Sequence, residues 1–338
     1  VRPAAPLVKT HGRRQSFDDP VIGLAWLKDT LVTALADGSI HFETAAGRVN
    51  KRLHKAALSI CPHPDGQSVL SGGDEGRVMK TDLSGATIEM GSFGNKWVHA
   101  LISNAASGVV IAAAGREVVV WPSGASRPSH SFDFDSSIGG VSLDAKGKRL
   151  AVSHYNGVTL LYPLMPASPR VRLDWRGSHL SCALAPDNGY VVTAMQETGL
   201  HGWQLPSKTQ FGMSGYEVKT RSFSWSHKGR WLATSGGTGV ILWPFTGKTG
   251  PLNREPVIVG ERPRTRVTQV AFHPRTDHLA VGYSDGAVTL IRLEDGSALA
   301  IDDPADSISA LRWRDDGTAL AYAGEDGRVG ILDMGVRA

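Results

Sequence analysis

Apolar and polar residues alternate in short runs along the whole chain, and pairs of runs are hinged on short glycine-containing turns. The pattern is clearest in the seventh repeat. Val267-Thr268-Gln269-Val270-Ala271-Phe272 reads as an inner strand, and His273 to Asp277 as a turn. Leu279-Ala280-Val281-Gly282 follows as a second strand of small residues. Asp285-Gly286 then turns the chain into a third strand, Val288-Thr289-Leu290-Ile291-Arg292. Period-two alternation bounded by Gly, Pro, Asp and Asn predicts hairpins, because successive side chains on a strand point to opposite faces. Small residues in the second strand suit a central position where neighbouring sheets approach closely.

The same grammar recurs eight times, at Ala36-Asp37-Gly38-Ser39, Asp74-Glu75-Gly76-Arg77, Gly115-Arg116-Glu117, Tyr155-Asn156-Gly157, Glu197-Thr198-Gly199, Gly237-Thr238-Gly239, Ser284-Asp285-Gly286 and Glu325-Asp326-Gly327. A spacing of about 40 residues is that of a four-stranded propeller blade. One such unit cannot bury its apolar face alone, so neighbours must stack on it. The expected fold is all-β, a closed β-propeller of four-stranded blades, eight by this count with seven as the alternative, in one domain over residues 1–338. The last repeat stops near Asp333 with three strands, whereas a spare extended segment around Leu7 to Phe17 precedes the first inner strand at Val21. Residues 1–17 are therefore expected to supply the missing outer strand of the last blade, with the repeats over 18–338. That pairing removes two open sheet edges that would otherwise invite aggregation.

Several turns and strand ends add detail. Pro64-Asp65-Gly66, Pro186-Asp187-Asn188-Gly189 and Asp315-Asp316-Gly317 look like the Ser-Pro-Asp-Gly turn of the WD40 repeat family, and His63-Pro64 and His273-Pro274 like variants of it. Trp121, Trp203 and Trp243 fall where that family's Trp ends the third strand, but Pro122, Gln204 and Pro244 replace the following Asp. Asp82 and Asp333 occupy the Asp position without the Trp. Over nearly its whole length the chain thus resembles a degenerate WD40-like propeller of bacterial type. The resemblance implies a stabilising network of a His before the inner strand, a Ser or Thr in the second strand, an Asp in the next turn, and the Trp. No repeat carries all four; the fifth, with His179, Thr193 and Trp203, comes nearest.

Composition narrows the function. Apolar residues make up 41%, and the 39 Gly and 18 Pro punctuate many short turns. Net charge is only +4, so a pI near 9.1 overstates how basic the molecule is and argues against nucleic acid as a partner. Aromatic residues among the basic segments are sparse as well, mainly Trp97, Trp175 and Tyr216. Cys61 and Cys182 sit three repeats apart, too far for the Cα separation of about 7 Å that a disulfide tolerates. Two reduced thiols fit a reducing compartment, and cytoplasmic localisation is expected. Val1 to Gln15 lacks the apolar core of a signal peptide, and no run of 18 apolar residues predicts a membrane helix.

Catalytic motifs fail on spacing. Gly247-Lys248-Thr249 resembles the end of a phosphate-binding loop, but Trp243 stands where the leading Gly is required. Gly212-Met213-Ser214-Gly215 lacks the frame of a nucleophile elbow. The 12 His form neither a His-Glu-x-x-His motif nor a set with paired Cys. Asp133, Asp135, Asp302, Asp303 and Asp306 lack the Gly and distal Glu of a calcium loop, and read as solvated loop charge. No cofactor, metal or catalytic residue is expected.

The segments leading into the inner strands are richer. By the resemblance they lie on the narrow face of the propeller. They read Lys51 to Lys55, Lys96-Trp97, Arg170 with Arg172 and Arg176, Lys219-Thr220-Arg221, and Arg262 to Arg266, broken by acidic sectors at Asp133 and Asp135 and at Asp302, Asp303 and Asp306. Trp and Arg are enriched at binding hot spots. Trp97, Lys219 and Arg266, each just before an inner strand, are the leading candidates, with Lys96, Arg221 and Arg264 beside them. Packing between blades is the competing role for Trp97. The expected function is a non-catalytic, monomeric platform for proteins or peptides, acidic ones included; the alternative is a channel-centred enzyme or metal-binding propeller.

Overall fold

The computed structural model describes residues 5–44, 47–247 and 249–335. Lys248 and residues 1–4 of the expected closing segment lie outside them. Among the described residues, thirty strands and one short helix form seven antiparallel sheets. The chain divides into two compact units, Ala25–Ser214 and the pair of segments Val1–Leu24 and Gly215–Ala338. Each is described by itself.

In the first unit of continuous chain, three sheets follow the four-strand grammar in sequence order. They are Val21–Leu27 to Gly47–Arg52, Ala57–Pro62 to Thr87–Ser92, and Val98–Asn104 to His130–Asp133. Second strands form their centres, as the small-residue pattern requires: every residue of Val109–Ala114 is buried, with Ile111 opposite both Ile102 and Val120. Adjacent sheets share cores, such as the cluster of Cys61, Leu70, Val98, Leu101 and Trp121. Each large apolar side chain there contributes about 1.5–3 kcal/mol by leaving water.

The fourth and fifth repeats depart from the expectation of eight separate sheets. They are hydrogen-bonded into one six-stranded sheet, from Ile138–Leu143 to Thr209–Met213, so the count is seven, the alternative to the eight expected. The cause is continuity: strand Val171–Leu184 serves as the outer strand of one repeat and the inner strand of the next, with no intervening loop. Each repeat keeps its own hairpin inside this sheet. His154 and Thr159 hydrogen-bond at 2.9 Å, whereas an extended strand would hold them about 16 Å apart. The chain therefore folds back at Asn156 and Gly157, whose φ values are 66° and 139°.

Six inner strands carry a register shift at their first residues, as between Ala57 and Ser59, Val98 and Ala100, and Ile308 and Ala310. A bulge there increases the local twist and re-aims the residues that precede the strand. The glycine turns press against these lead-in segments. At Gly76, with φ 85°, an added Cβ would meet the Gly94 carbonyl oxygen at 1.9 Å.

The second unit holds the sheets Phe223–Trp225 to Val257–Val259 and Val267–Phe272 to Ala298–Asp302, together with the last sheet. That last sheet has the order Gly12–Ser16, Arg328–Asp333, Ala319–Gly324, Ile308–Trp313, so the N-terminal strand is its outer strand, as expected. The Phe17 N–H donates to the Gly327 carbonyl, the bond that Phe93 makes to Gly76 within the second repeat. The expected extended run from Leu7 is corrected in one respect: Val8–His11 forms a helical turn. An outer strand exposes its side chains, as all five of Gly12–Ser16 show, and the turn instead carries Val8 into a core with Ile301, Trp313 and Leu332.

A second correction concerns Asp302, expected as solvated loop charge. Its side chain is wholly buried. It receives ion pairs from Arg14 of the N-terminal strand and from Arg328 at 3.2 Å, and the Tyr322 hydroxyl donates to it at 2.5 Å. Burial and the neighbouring Asp302 charge both push the Tyr322 hydroxyl well above its ordinary range. Lys9 adds an exposed pair to Asp303 at 2.7 Å. The acidic residues of this repeat thus anchor the N-terminal segment.

Candidate functional site

Side-chain networks fix the loops from which any site must be built. In the second repeat, His54 Nδ1 donates to Glu75 Oε1 at 2.7 Å and Nε2 pairs with Ser71 Oγ at 2.8 Å. Partial burial works against the Glu75 charge, but the His54 hydrogen bond, a backbone N–H and further contacts together outweigh it and hold the carboxyl down at about 2. In the sixth repeat Trp243 Nε1 donates to the Tyr216 hydroxyl, which pairs with Thr234 Oγ1, both at 2.8 Å. Sequence reasoning passed over both networks because Glu75 replaces an Asp and Tyr216 replaces a His. In the fifth repeat His179 Nε2 donates to the Trp175 carbonyl at 3.0 Å, leaving Nδ1 to accept from the Thr193 hydroxyl at 2.8 Å. There the network ends, since the buried Trp203 N–H has no partner among the described residues.

The cations of the second unit fall into two classes. Arg266 is half-buried and bridges to Glu217 at 2.6 Å; Arg262 bridges to Asp285 at 2.7 Å and lies 5.2 Å from the Tyr283 ring centre. The Arg266–Glu217 pair ties the segment bearing Lys219 and Arg221 to the segment bearing Arg264. Lys219, Arg221 and Arg264 are exposed and form no ion pair among the described residues. Arg264 also holds a left-handed φ of 65°, which turns its segment sharply before the strand.

In the unit of continuous chain, Lys96 bridges to Glu117 at 3.2 Å, and its stem packs beside Gly115. Trp97 is 66% exposed, so it does not pack between sheets. Three adjoining clefts run from there. One is lined by Lys96, Arg116, Glu117 and Asp133 to Asp135; the next shares Asp133 to Asp135 and adds Tyr155, Arg170 and Arg172; a third shares Tyr155 and Arg172 and reaches Trp175 and Arg176. The middle cleft has a volume of about 470 Å³.

Its walls are built by the folded-back hairpin and the outer strand beside it. His154, buried behind Tyr155, donates from Nδ1 to the Tyr155 carbonyl and accepts from Thr159, and burial lowers its pKa. Trp175 stacks on His201 with ring centres 3.9 Å apart and planes at 11°. His201 in turn meets the edge of Trp203, and burial pulls its pKa down to about 4. These rings make a rigid aromatic wall with a neutral interior. Sequence reasoning marked Trp175, the two arginines and the two aspartates separately, but gave no signal that Tyr155 and His154 join them.

No three His, Cys, Asp or Glu side chains gather as a metal-binding set among the described residues. Both cysteines are buried and outside any disulfide, and burial pushes the Cys182 thiol up to about 12. No helix of the described residues is long and apolar enough to cross a membrane.

The sequence profile of the WD domain, G-beta repeat, matches residues 255–291. The matched stretch is WD40-like. The matched WD40 stretch takes in the outer strand Val257–Val259 and the seventh repeat through its third strand. No curated protein matches the chain by sequence. Among solved structures the chain is similar to the computationally designed Ika8 protein, with a TM-score of 0.74 and 17% identity over 94% of this chain and 98% of that one. The likeness is one of fold, an all-β propeller of four-stranded blades.

Proposed function

We propose that this WD40-like chain is a non-catalytic, monomeric platform of a reducing compartment such as the cytoplasm, holding acidic protein segments on the loops that precede its inner strands. WD40 propellers generally serve as protein-interaction scaffolds, and a fixed set of strands leaves such loops free to carry recognition. One observation supports the choice of partner most: Lys219, Arg221 and Arg264 stand exposed with no acidic partner among the described residues, while Arg262 and Arg266 beside them are already neutralised. Cations left unpaired attract an acidic chain without first breaking an internal bridge. The exposed Trp97 is a second contact point of a different kind, since Lys96 beside it is already bridged to Glu117 and Trp is a frequent anchor of binding energy.

The test is direct titration of a fluorescently labelled glutamate-rich peptide. Binding is expected to weaken with added salt and to fall at least about tenfold in a Lys219→Glu, Arg221→Glu, Arg264→Glu variant whose melting temperature is unchanged. Equal affinity for the folded triple variant would remove these cations from the function. Trp97→Ala is expected to weaken binding as well, with no cost in stability.

A further inference from the structure

In the fourth repeat, Leu143 pairs with Leu150 and Leu160 with Val171, so the turn 144–149 and the loop 162–170 leave the same end of the sheet. In the third repeat, Asn104 pairs with Val109 and Val110 with Trp121, which gives the turn 105–108 and the loop 122–129 a common end as well. The two ends touch. The Asn104 side-chain amide donates to the Ala145 carbonyl at 3.0 Å, and His130 Nε2 donates to the Pro163 carbonyl at 2.6 Å. Tyr162, Leu164 and Met165 stand there 42%, 41% and 60% exposed, three apolar-bodied side chains within four residues. Their loop is stiff. The Met165 N–H donates to the Tyr162 carbonyl at 3.0 Å, the Ser168 N–H to the Met165 carbonyl at 2.9 Å, and Pro163 and Pro166 restrict the backbone further. Grouped apolar exposure of this kind marks a contact site for a protein or a membrane.

The surrounding charge favours the membrane. Arg127, Lys146 and Lys148 are exposed at the same end and form no ion pair among the described residues. Residues 104–109, 122–129 and 162–170 contain no acid. Asp144, the acid of the remaining turn, is buried and accepts from the N–H groups of Lys148 and Arg149 and from the Asn188 side chain, so its charge is held inside the turn. Asp187, exposed in the next repeat's turn, leaves the cations in the majority. Apolar side chains on a surface loop beside unpaired cations match a bilayer interface, where acyl chains receive the former and anionic headgroups the latter. An amphipathic tyrosine suits the same boundary. We propose that this end of the third and fourth repeats docks on an anionic lipid surface, with Leu164 and Met165 entering the headgroup layer and Arg127, Lys146 and Lys148 meeting the headgroups. Docking of this kind needs no membrane-crossing helix, and it does not rest on the acidic-segment reading, whose residues are different.

The probe is a vesicle of phosphatidylcholine carrying about 30% phosphatidylglycerol, beside vesicles of phosphatidylcholine alone, with binding read by flotation. The protein is expected to float with the anionic vesicles, to stay behind with the neutral ones, and to be released by added salt. Leu164→Asp with Met165→Asp is expected to abolish flotation, and Lys146→Glu with Lys148→Glu to weaken it about tenfold or more, in proteins that melt normally. The Lys219→Glu, Arg221→Glu, Arg264→Glu variant should float as the parent does. The Leu164 and Met165 variant should still take up the glutamate-rich peptide, so either reading can fail alone. Absence of flotation with anionic vesicles up to about 1 mM lipid overturns the proposal, even where a protein is found to dock on the loop instead. So does undiminished flotation of either loop variant, or a loss confined to the Lys219 triple variant.

Discussion

Asp302 and Asp135 belong to two acidic sectors that look alike along the chain, yet they end in opposite surroundings. Asp302 is sealed from water by Arg14, Arg328 and Tyr322, whereas the Asp135 side chain is fully exposed with one distant cation. Neither difference comes from the aspartates themselves. Asp302 gains its partners because the N-terminal strand delivers Arg14 from the other end of the sequence. Asp135 keeps only a 3.9 Å pair with Arg172, whose guanidinium is held more closely by Asp174. Charge read as composition therefore says little about charge available for binding; the pairing decides it.

The contrast can be broken most decisively at its buried end. Asp302→Ala leaves Arg14 and Arg328 facing each other without an anion, and is expected to destabilise the fold by about 3–5 kcal/mol. Chemical denaturation measures this directly; a variant as stable as the parent would mean that the buried pair contributes nothing net.

A smaller effect is expected from pH, through the buried histidine beneath Trp175. The His201 pKa lies near 4 in the fold because burial disfavours its charged form, against an ordinary value of 6.5. The unfolded chain thus takes up a proton before the folded one does. Stability should be full above 6.5, fall as pH drops toward 4, and change no further through this group below that. The slope of melting temperature over that window should flatten in His201→Gln, and an unchanged slope would assign the effect to other groups.

At the exposed end, Asp135→Ala is expected to change stability by no more than about 0.5 kcal/mol. A larger loss in thermal or denaturant melts would show that its distant pairing with Arg172 matters more than the geometry implies.

Much of the fold is legible in the residues. Alternation and glycine turns mark the hairpins, and the missing strand near Asp333 together with the spare segment before Val21 marks the N-terminal strand pairing. Other features depend on atoms brought together from distant positions. Nothing in Trp175-Arg176-Gly177 announces that the fourth and fifth repeats share one continuous strand. The repeated bulges follow no residue type, since Ala57, Val98, His179 and Val267 all begin them. At the candidate sites, residue types pointed to basic loops, but only the pairings separate Lys219 and Arg264 from Arg262 and Arg266. The Tyr216–Thr234–Trp243 network was hidden for a simpler reason: a tyrosine does the work of a histidine there.

The outer strand of the last sheet also sets a schedule for the ribosome. Gly12 pairs with Leu332, so its partner is made about 320 residues later. At about 5–20 residues per second that is a delay on the order of tens of seconds. During it, the segment Gly12-Arg13-Arg14-Gln15-Ser16 remains a strand without a sheet. Its two positive charges and lack of large apolar side chains suit that interval, because they discourage pairing with another nascent edge before the proper one exists.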